Sequence, residues 1–279
     1  MKYSSITKLT LAVALLGAVS QAGAVNITIN DLQGGNGTGV GFNPAGGVGQ
    51  GGEDQETEVG TVGSQSWDFE AFTLNGSNLK VYGGYNILTG NNPYGVGDIF
   101  IDVNGDANWK PGADNSIKGK TDNGVFKYDY VIHFTGRVGT TVTGDYDVYS
   151  LASDKSVSLF ETKYKAGSNP WILDLDGSQG AKKISSGNLT LTADTNWRID
   201  ADGTTLTGGS VKAPHYISSD IPLDFLAPGE LKSGTLFKLT QECGNDSLVG
   251  RVADGGTTLA LMGAAMSGMA FFVRRNRKA

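Results

Sequence analysis

Apolar and polar positions alternate most regularly near the middle of the chain. Phe126, Tyr128, Tyr130, Ile132 and Phe134 fall at every second position, with Lys127, Asp129 and His133 among the residues between them. A period of two is the pattern of a strand with one buried face, so it predicts a strand over 126–134 with these five side chains together in the core. Weaker alternation predicts further strands at 79–82, 98–103, 145–151, 156–164, 171–175, 189–193 and 236–241, with turn residues between them. Away from the two ends there is no amphipathic stretch of helical length. Many short strands joined irregularly predict an all-β body, an antiparallel β-sandwich or jelly roll, with a barrel as the alternative.

The two ends follow a different pattern. Lys2 and Lys8 bracket a short basic region, residues 9–16 are almost wholly apolar, and Ala22, Gly23 and Ala24 are small. That order of basic, apolar and small residues predicts a helical signal peptide over 1–24, removed by signal peptidase so that the mature chain starts near Val25. Residues 257–273 are uncharged and mostly apolar, and Arg274, Arg275, Arg277 and Lys278 close the run. The length is at the lower limit for a membrane-spanning helix, about 17–25 residues, and the basic end is expected to stay in the cytoplasm while the body faces outward.

Within that tail, Val252, Ala253, Asp254, Gly255 and Gly256, followed by the apolar span and Arg274-Arg275, resemble a PEP-CTERM sorting domain in its Val-Pro-Asp-Gly-Gly variant. The resemblance implies handling by an exosortase, a membrane enzyme resembling cysteine transpeptidases. It also implies a link to exopolysaccharide and biofilm in Gram-negative bacteria. Ala253 departs from the pattern, which has proline there. Proline would hold the segment extended for the enzyme, so its absence predicts slower processing or none. Segments 97–106, 128–131 and 242–246 loosely resemble parts of bodies that carry such tails. The domain organisation expected is therefore signal peptide, a body over 25–250, and a sorting and anchoring tail over 251–279.

Composition sharpens this reading. Glycine supplies 42 of 279 residues, about twice its usual share, and favours tight turns. It dominates 34–63, where Glu53, Asp54, Glu56 and Glu58 also cluster, and a mobile acidic loop is expected there. The net charge is −6 although several basic residues belong to the two ends, so the body is distinctly acidic and nucleic acid is excluded as a partner. Cys243 is the single cysteine, which rules out an internal disulfide and predicts a buried, inert thiol.

Candidate chemistry is sparse. Asp98, Asp102, Asn104 and Asp106 alternate into a turn that Gly105 permits, placing hard oxygen donors close together for Ca²⁺. The glycine and the bidentate glutamate of an EF-hand are missing from the required positions, so a solvated turn competes with that reading. His133 and His215 have no second histidine or cysteine at zinc-ligand spacing. Asn245-Asp246-Ser247-Leu248 lacks the glycine elbow and downstream histidine of a serine hydrolase. The pairs Asp145 and Asp147, and Asp174 and Asp176, read as strand decoration rather than glycosidase carboxylates. Trp67, Trp109, Trp171 and Trp197 offer ring faces for stacking on sugars or for core packing. No residues make a catalytic constellation, and the expected cofactor is none, or calcium at the Asp98 to Asp106 turn. The chain reads as a non-enzymatic structural protein of the envelope surface or extracellular matrix, reached through an inner-membrane-anchored precursor and in contact with extracellular polysaccharide. A secreted, calcium-dependent carbohydrate-binding module is the alternative.

Overall fold

The computed structural model describes residues 24–30, 65–108, 119–135, 143–164, 166–194, 197–199, 205–207 and 215–253. These form strands β1 (Val25–Asn26), β2 (Thr28–Asn30), β3 (Phe69–Asn75), β4 (Asn78–Gly83), β5 (Ile99–Asp102), β6 (Lys120–Asp122), β7 (Tyr130–Phe134), β8 (Thr143–Leu151) and β9 (Ser158–Phe160). There follow β10 (Ile172–Leu173), β11 (Ala181–Asp194), β12 (Trp197–Ile199), β13 (Thr205–Thr207), β14 (His215–Ser218), β15 (Ile221–Pro222), β16 (Leu236–Thr240) and β17 (Ser247–Arg251). The all-β expectation holds: among the described residues the one α-helix is a single turn, α1 (Asn123–Phe126), beside a few 3₁₀ turns. No helix among them is long and apolar enough to cross a membrane. The expected signal helix, the glycine-rich stretch 34–63 and the hydrophobic tail lie outside the described residues.

One large antiparallel sheet dominates, in the order β1-β3-β4-β14-β11-β8-β7-β5-β16-β17-β2, with β15 added to β4. It is curled until its ends meet. The edge strands β1 and β2 are consecutive pieces of one segment. Between them Ile27 donates its N–H to the Phe72 carbonyl at 2.9 Å and accepts from the Arg251 N–H at 2.7 Å. The long β11 serves two neighbours in turn, pairing with β8 through Thr190 and with β14 from Leu191 onward. A register shift between Lys183 and Ser185 bends it.

Alternation then sorts side chains to the two faces. Ile99, Ile101, Ile132, Phe134, Phe237 and Leu239 point into the curl, where they meet Phe69, Phe72, Leu79 and Val81 from β3 and β4. The intervening Phe100, Val131 and Leu236 point outward and are covered by a small sheet of order β10-β9-β6, whose Leu159 and Leu173 complete a second core. Strands β5 and β16 are therefore buried on both faces, all four residues of β5 and all five of β16.

The strongest sequence pattern is cut short. β7 begins at Tyr130 because residues 123–126 form α1 and Lys127 follows it in the left-handed region, at φ 62°. A non-glycine residue seldom enters that region unless its surroundings hold it there. Here Asn123 supplies the hold: its amide Nδ2 donates to the Tyr128 and Ala152 carbonyls at 2.7 and 2.9 Å, and its Oδ1 accepts the Tyr128 N–H at 3.0 Å. The turn breaks the period of two. Phe126 and Tyr128 pack with Phe100 in the outer core, whereas Tyr130, Ile132 and Phe134 face inward. Two other expected strands also shrink, to Ser158–Phe160 and Ile172–Leu173, while β3, β14 and β17 were not anticipated.

Candidate functional site

The small sheet carries a groove on its solvent side. Lys120 on β6 stands opposite Phe160 on β9, and Phe160 stands opposite Ile172 on β10. Because Leu159 and Leu173 turn inward to the second core, Phe160 faces out. Lys120 lies over its ring, Nζ 4.6 Å from the centroid, and ion-pairs with Asp174 at 2.6 Å. Trp171, just before β10, stands beside Phe160 with ring centroids 6.5 Å apart and planes at 45°. Gly119, Glu161, Lys163, Tyr164 and Glu242 complete the lining of a cavity of about 710 Å³.

The chain around the groove is tied down from below. Lys238 is fully buried on β16, and its Nζ donates to the Ser168 and Pro170 carbonyls at 2.5 and 3.0 Å, fixing the segment that presents Trp171. Asn169 Oδ1 accepts from the Thr162 N–H and hydroxyl at 2.6 and 2.8 Å, which joins that segment to residues 161–164. Lys163 donates its N–H to the Glu242 carbonyl at 2.9 Å and pairs its ammonium with the Glu242 carboxylate. Glu242 in turn accepts the Gly95 N–H at 2.8 Å. Tyr94 is thereby brought beside the rim, with its hydroxyl 3.0 Å from that of Tyr164 and Lys163 Nζ 5.3 Å from its ring centroid. The result is two aromatic faces, Trp171 with Phe160 and Tyr94 with Tyr164, flanked by paired charges. Burial raises the carboxyl pKa of Glu161. For Asp174 burial pushes the same way, but the Lys120 ammonium and the Ser158 hydroxyl outweigh it and hold the carboxyl below its ordinary value.

The residues proposed for calcium each have protein partners. Asp98 is fully buried, with Oδ2 accepting from His133 Nδ1 at 3.0 Å and the Leu173 N–H at 2.8 Å. Asp102 uses Oδ1 on the Asn104 and Gly105 N–H groups at 3.0 and 2.8 Å and Oδ2 on that of Ala107 at 3.0 Å. Asn104 Oδ1 accepts the Asp106 N–H, and Asp106 pairs with Lys127 at 3.5 Å. Asp129 joins the turn by accepting from the Val103 N–H and Asn104 Nδ2. Burial pushes its carboxyl pKa up, opposed by the Val103 N–H and reinforced by the charge on Asp102. These oxygens shape the turn, and among the described residues no group of three or more His, Cys, Asp or Glu could hold a metal.

Other candidates have structural partners. Asp145 pairs with Asn188, and Asp147 with Lys183 at 2.6 Å. Asp246 is buried and accepts the Phe69 and Ser247 N–H groups at 2.5 and 2.7 Å, so the Asn245 to Leu248 segment stitches β17 to the start of β3. Trp67 packs against the main core, its ring 6.0 Å from those of Tyr85 and Tyr94. Trp109 lies outside the described residues, as do Asp254, Gly255, Gly256, Arg274, Arg275, Arg277 and Lys278, and only the backbones of Trp197 and His215 are described. Cys243 is buried, donates to Gln241 Oε1 at 3.4 Å, and has its thiol pKa pushed up to about 11, chiefly by burial. The thiol is buried, as expected.

Of the groove, sequence reading singled out Trp171, with Asp174 noted only in a carboxylate pair. Tyr94, Lys120, Phe160, Lys163, Tyr164 and Glu242 come from four separate segments, and no spacing along the chain links them. No known protein family, curated protein or solved structure gives a match to this chain.

Proposed function

We propose that the chain is a non-enzymatic structural protein of the cell envelope or extracellular matrix. A signal peptide exports it and its exosortase-type tail sorts it, and the curled sheet acts as a flattened β-sandwich between a signal helix and a hydrophobic C-terminal helix. One observation carries the reading: the Arg251 N–H bonds to the Ile27 carbonyl at 2.7 Å, on the antiparallel pair of β17 and β2. Traced backwards through Val25 and forwards through Ala253, the chain leaves the body on the same side and in the same direction. Val252 is still held, donating to the Thr235 carbonyl and accepting the Gly234 N–H, each at 2.9 Å, whereas Ala253 is exposed. The described chain thus begins and ends on neighbouring strands, an arrangement that suits a body tethered by one end with its remaining surface turned to the outside. The partners are signal peptidase, an exosortase and the membrane during processing, and extracellular polysaccharide afterwards.

The test is mass-spectrometric mapping of both mature termini in cells with and without the exosortase. The expected result is a start near Val25 in both and loss of 257–279 only where the exosortase is present. An intact tail in both strains would overturn the sorting step and leave a plain membrane anchor.

A further inference from the structure

The groove on the small sheet has features that a structural body does not need. A face that served packing alone would bury its aromatic rings or surround them with scattered charge. Here Tyr164 is 50 % exposed and Trp171 and Phe160 are half-buried, yet the segments that carry them are fixed by a fully buried lysine and by Asn169. Rigid, partly exposed aromatic faces are costly to leave in water and favourable to cover.

The charges say what would cover them. Two lysines, Lys120 and Lys163, line the groove with two carboxylates, Glu161 and Glu242, and both lysines are already paired, Lys120 with the buried Asp174 beneath. Such a rim has no surplus positive charge with which to hold a phosphate, a sulfate or an acidic sugar. It does set ammonium donors beside carboxylate acceptors around ring faces. A pyranose ring presents the complement, one face of C–H groups and an edge of hydroxyls that each donate and accept. The cavity, about 710 Å³, lies within the range of about 300–1,000 Å³ common for small-ligand sites and is open along the surface, as a chain ligand requires.

Position supports the same conclusion. Glu242 lies just beyond the end of β16, whereas Arg251, where the chain departs, pairs with Leu236 at its start. At about 3.4 Å per residue, the length of β16 sets the groove roughly 17 Å from the exit. A ligand there would be held away from the tethered end.

We propose that this groove binds a short run of uncharged pyranose units of an extracellular polysaccharide, with Trp171 and Tyr164 stacking on ring faces and the Lys120 ammonium and the Lys163–Glu242 pair bonding the hydroxyls. That the ligand is extracellular rests on the envelope reading, but binding itself is measured whether or not the tail is cut.

The protein as recovered from its cells is titrated calorimetrically with neutral hexasaccharides (cellohexaose, laminarihexaose, xylohexaose and mannohexaose) and with hexagalacturonate as the acidic probe. At least one neutral chain is expected to bind, hexagalacturonate much more weakly, and Trp171→Ala and Tyr164→Ala each to weaken binding by roughly tenfold. Tyr164 is exposed and its replacement is expected to leave the fold intact, which thermal unfolding checks, so it keeps the test decisive if the Trp171 variant unfolds. Silence across the neutral panel, tighter binding of hexagalacturonate, or unchanged binding in the folded Tyr164→Ala protein would each overturn the proposal.

Discussion

Asn123 is where a small perturbation should have the largest readable effect. Its side chain is fully buried and makes three hydrogen bonds that close the turn between α1 and β7. Asn123→Ala removes all three and leaves the Tyr128 N–H and the Tyr128 and Ala152 carbonyls without those partners. At about 1 kcal/mol per bond the loss is about 3 kcal/mol, and more if the buried Tyr128 N–H finds no substitute partner. For a body of this size that corresponds to a fall in Tm of roughly 6–12 °C. Urea denaturation followed by tyrosine and tryptophan fluorescence measures it directly. Asn123→Asp separates bonding from packing. It keeps the acceptor for Tyr128 N–H but turns a carboxylate toward two carbonyls, so it should be at least as damaging at neutral pH and recover in part as the new carboxyl is protonated. An Asn123→Ala protein within about 1 kcal/mol of the parent would refute the argument that these bonds hold Lys127 in its left-handed conformation.

Two further predictions concern buried polar groups. The Tyr128 hydroxyl is fully buried and without a hydrogen-bond partner among the described residues, and burial raises its pKa well above the phenolic range. Tyr128→Phe should therefore be neutral or stabilising by about 1 kcal/mol in the same urea assay, and a clear loss would mean that the hydroxyl is bonded after all. Asp174 has its folded-state pKa lowered by Lys120 and Ser158 against the opposing effect of burial. Its ionised form thus contributes stability above the unfolded-state pKa, about 3.9, and that contribution is lost as pH falls through the lowered folded value. The gap in unfolding free energy between parent and Asp174→Asn should shrink between about pH 5 and pH 2, and a gap that does not change with pH would show that the ion pair is not its source.

The hydrophobic period and turn residues were enough to establish an all-β antiparallel body and to locate β4, β5, β8 and β16, because strand alternation is a local property of the chain. The same reasoning failed at 126–134, where every second residue is apolar but two cores compete for them. A single left-handed residue at Lys127, held by a distant asparagine contact to Ala152, decides which core each ring joins. Strand β3, with the pattern Phe69-Glu70-Ala71-Phe72-Thr73-Leu74, was missed because Phe72 and Thr73 are both buried and the alternation blurs. At the Asp102 turn the sequence shows only oxygens close together along the chain, and the structure adds that Asp102 accepts the Asn104, Gly105 and Ala107 N–H groups. The groove lay furthest from sequence reading. Its aromatic faces and charge pairs adjoin only when β6, β9 and the β16–β17 turn come together over the second core, and such adjacency is long-range. Sequence alone therefore determined the class of fold and the candidate addresses at its ends, which are local patterns. Only the tertiary structure decided which faces are buried, which acids are occupied, and where a ligand could lie.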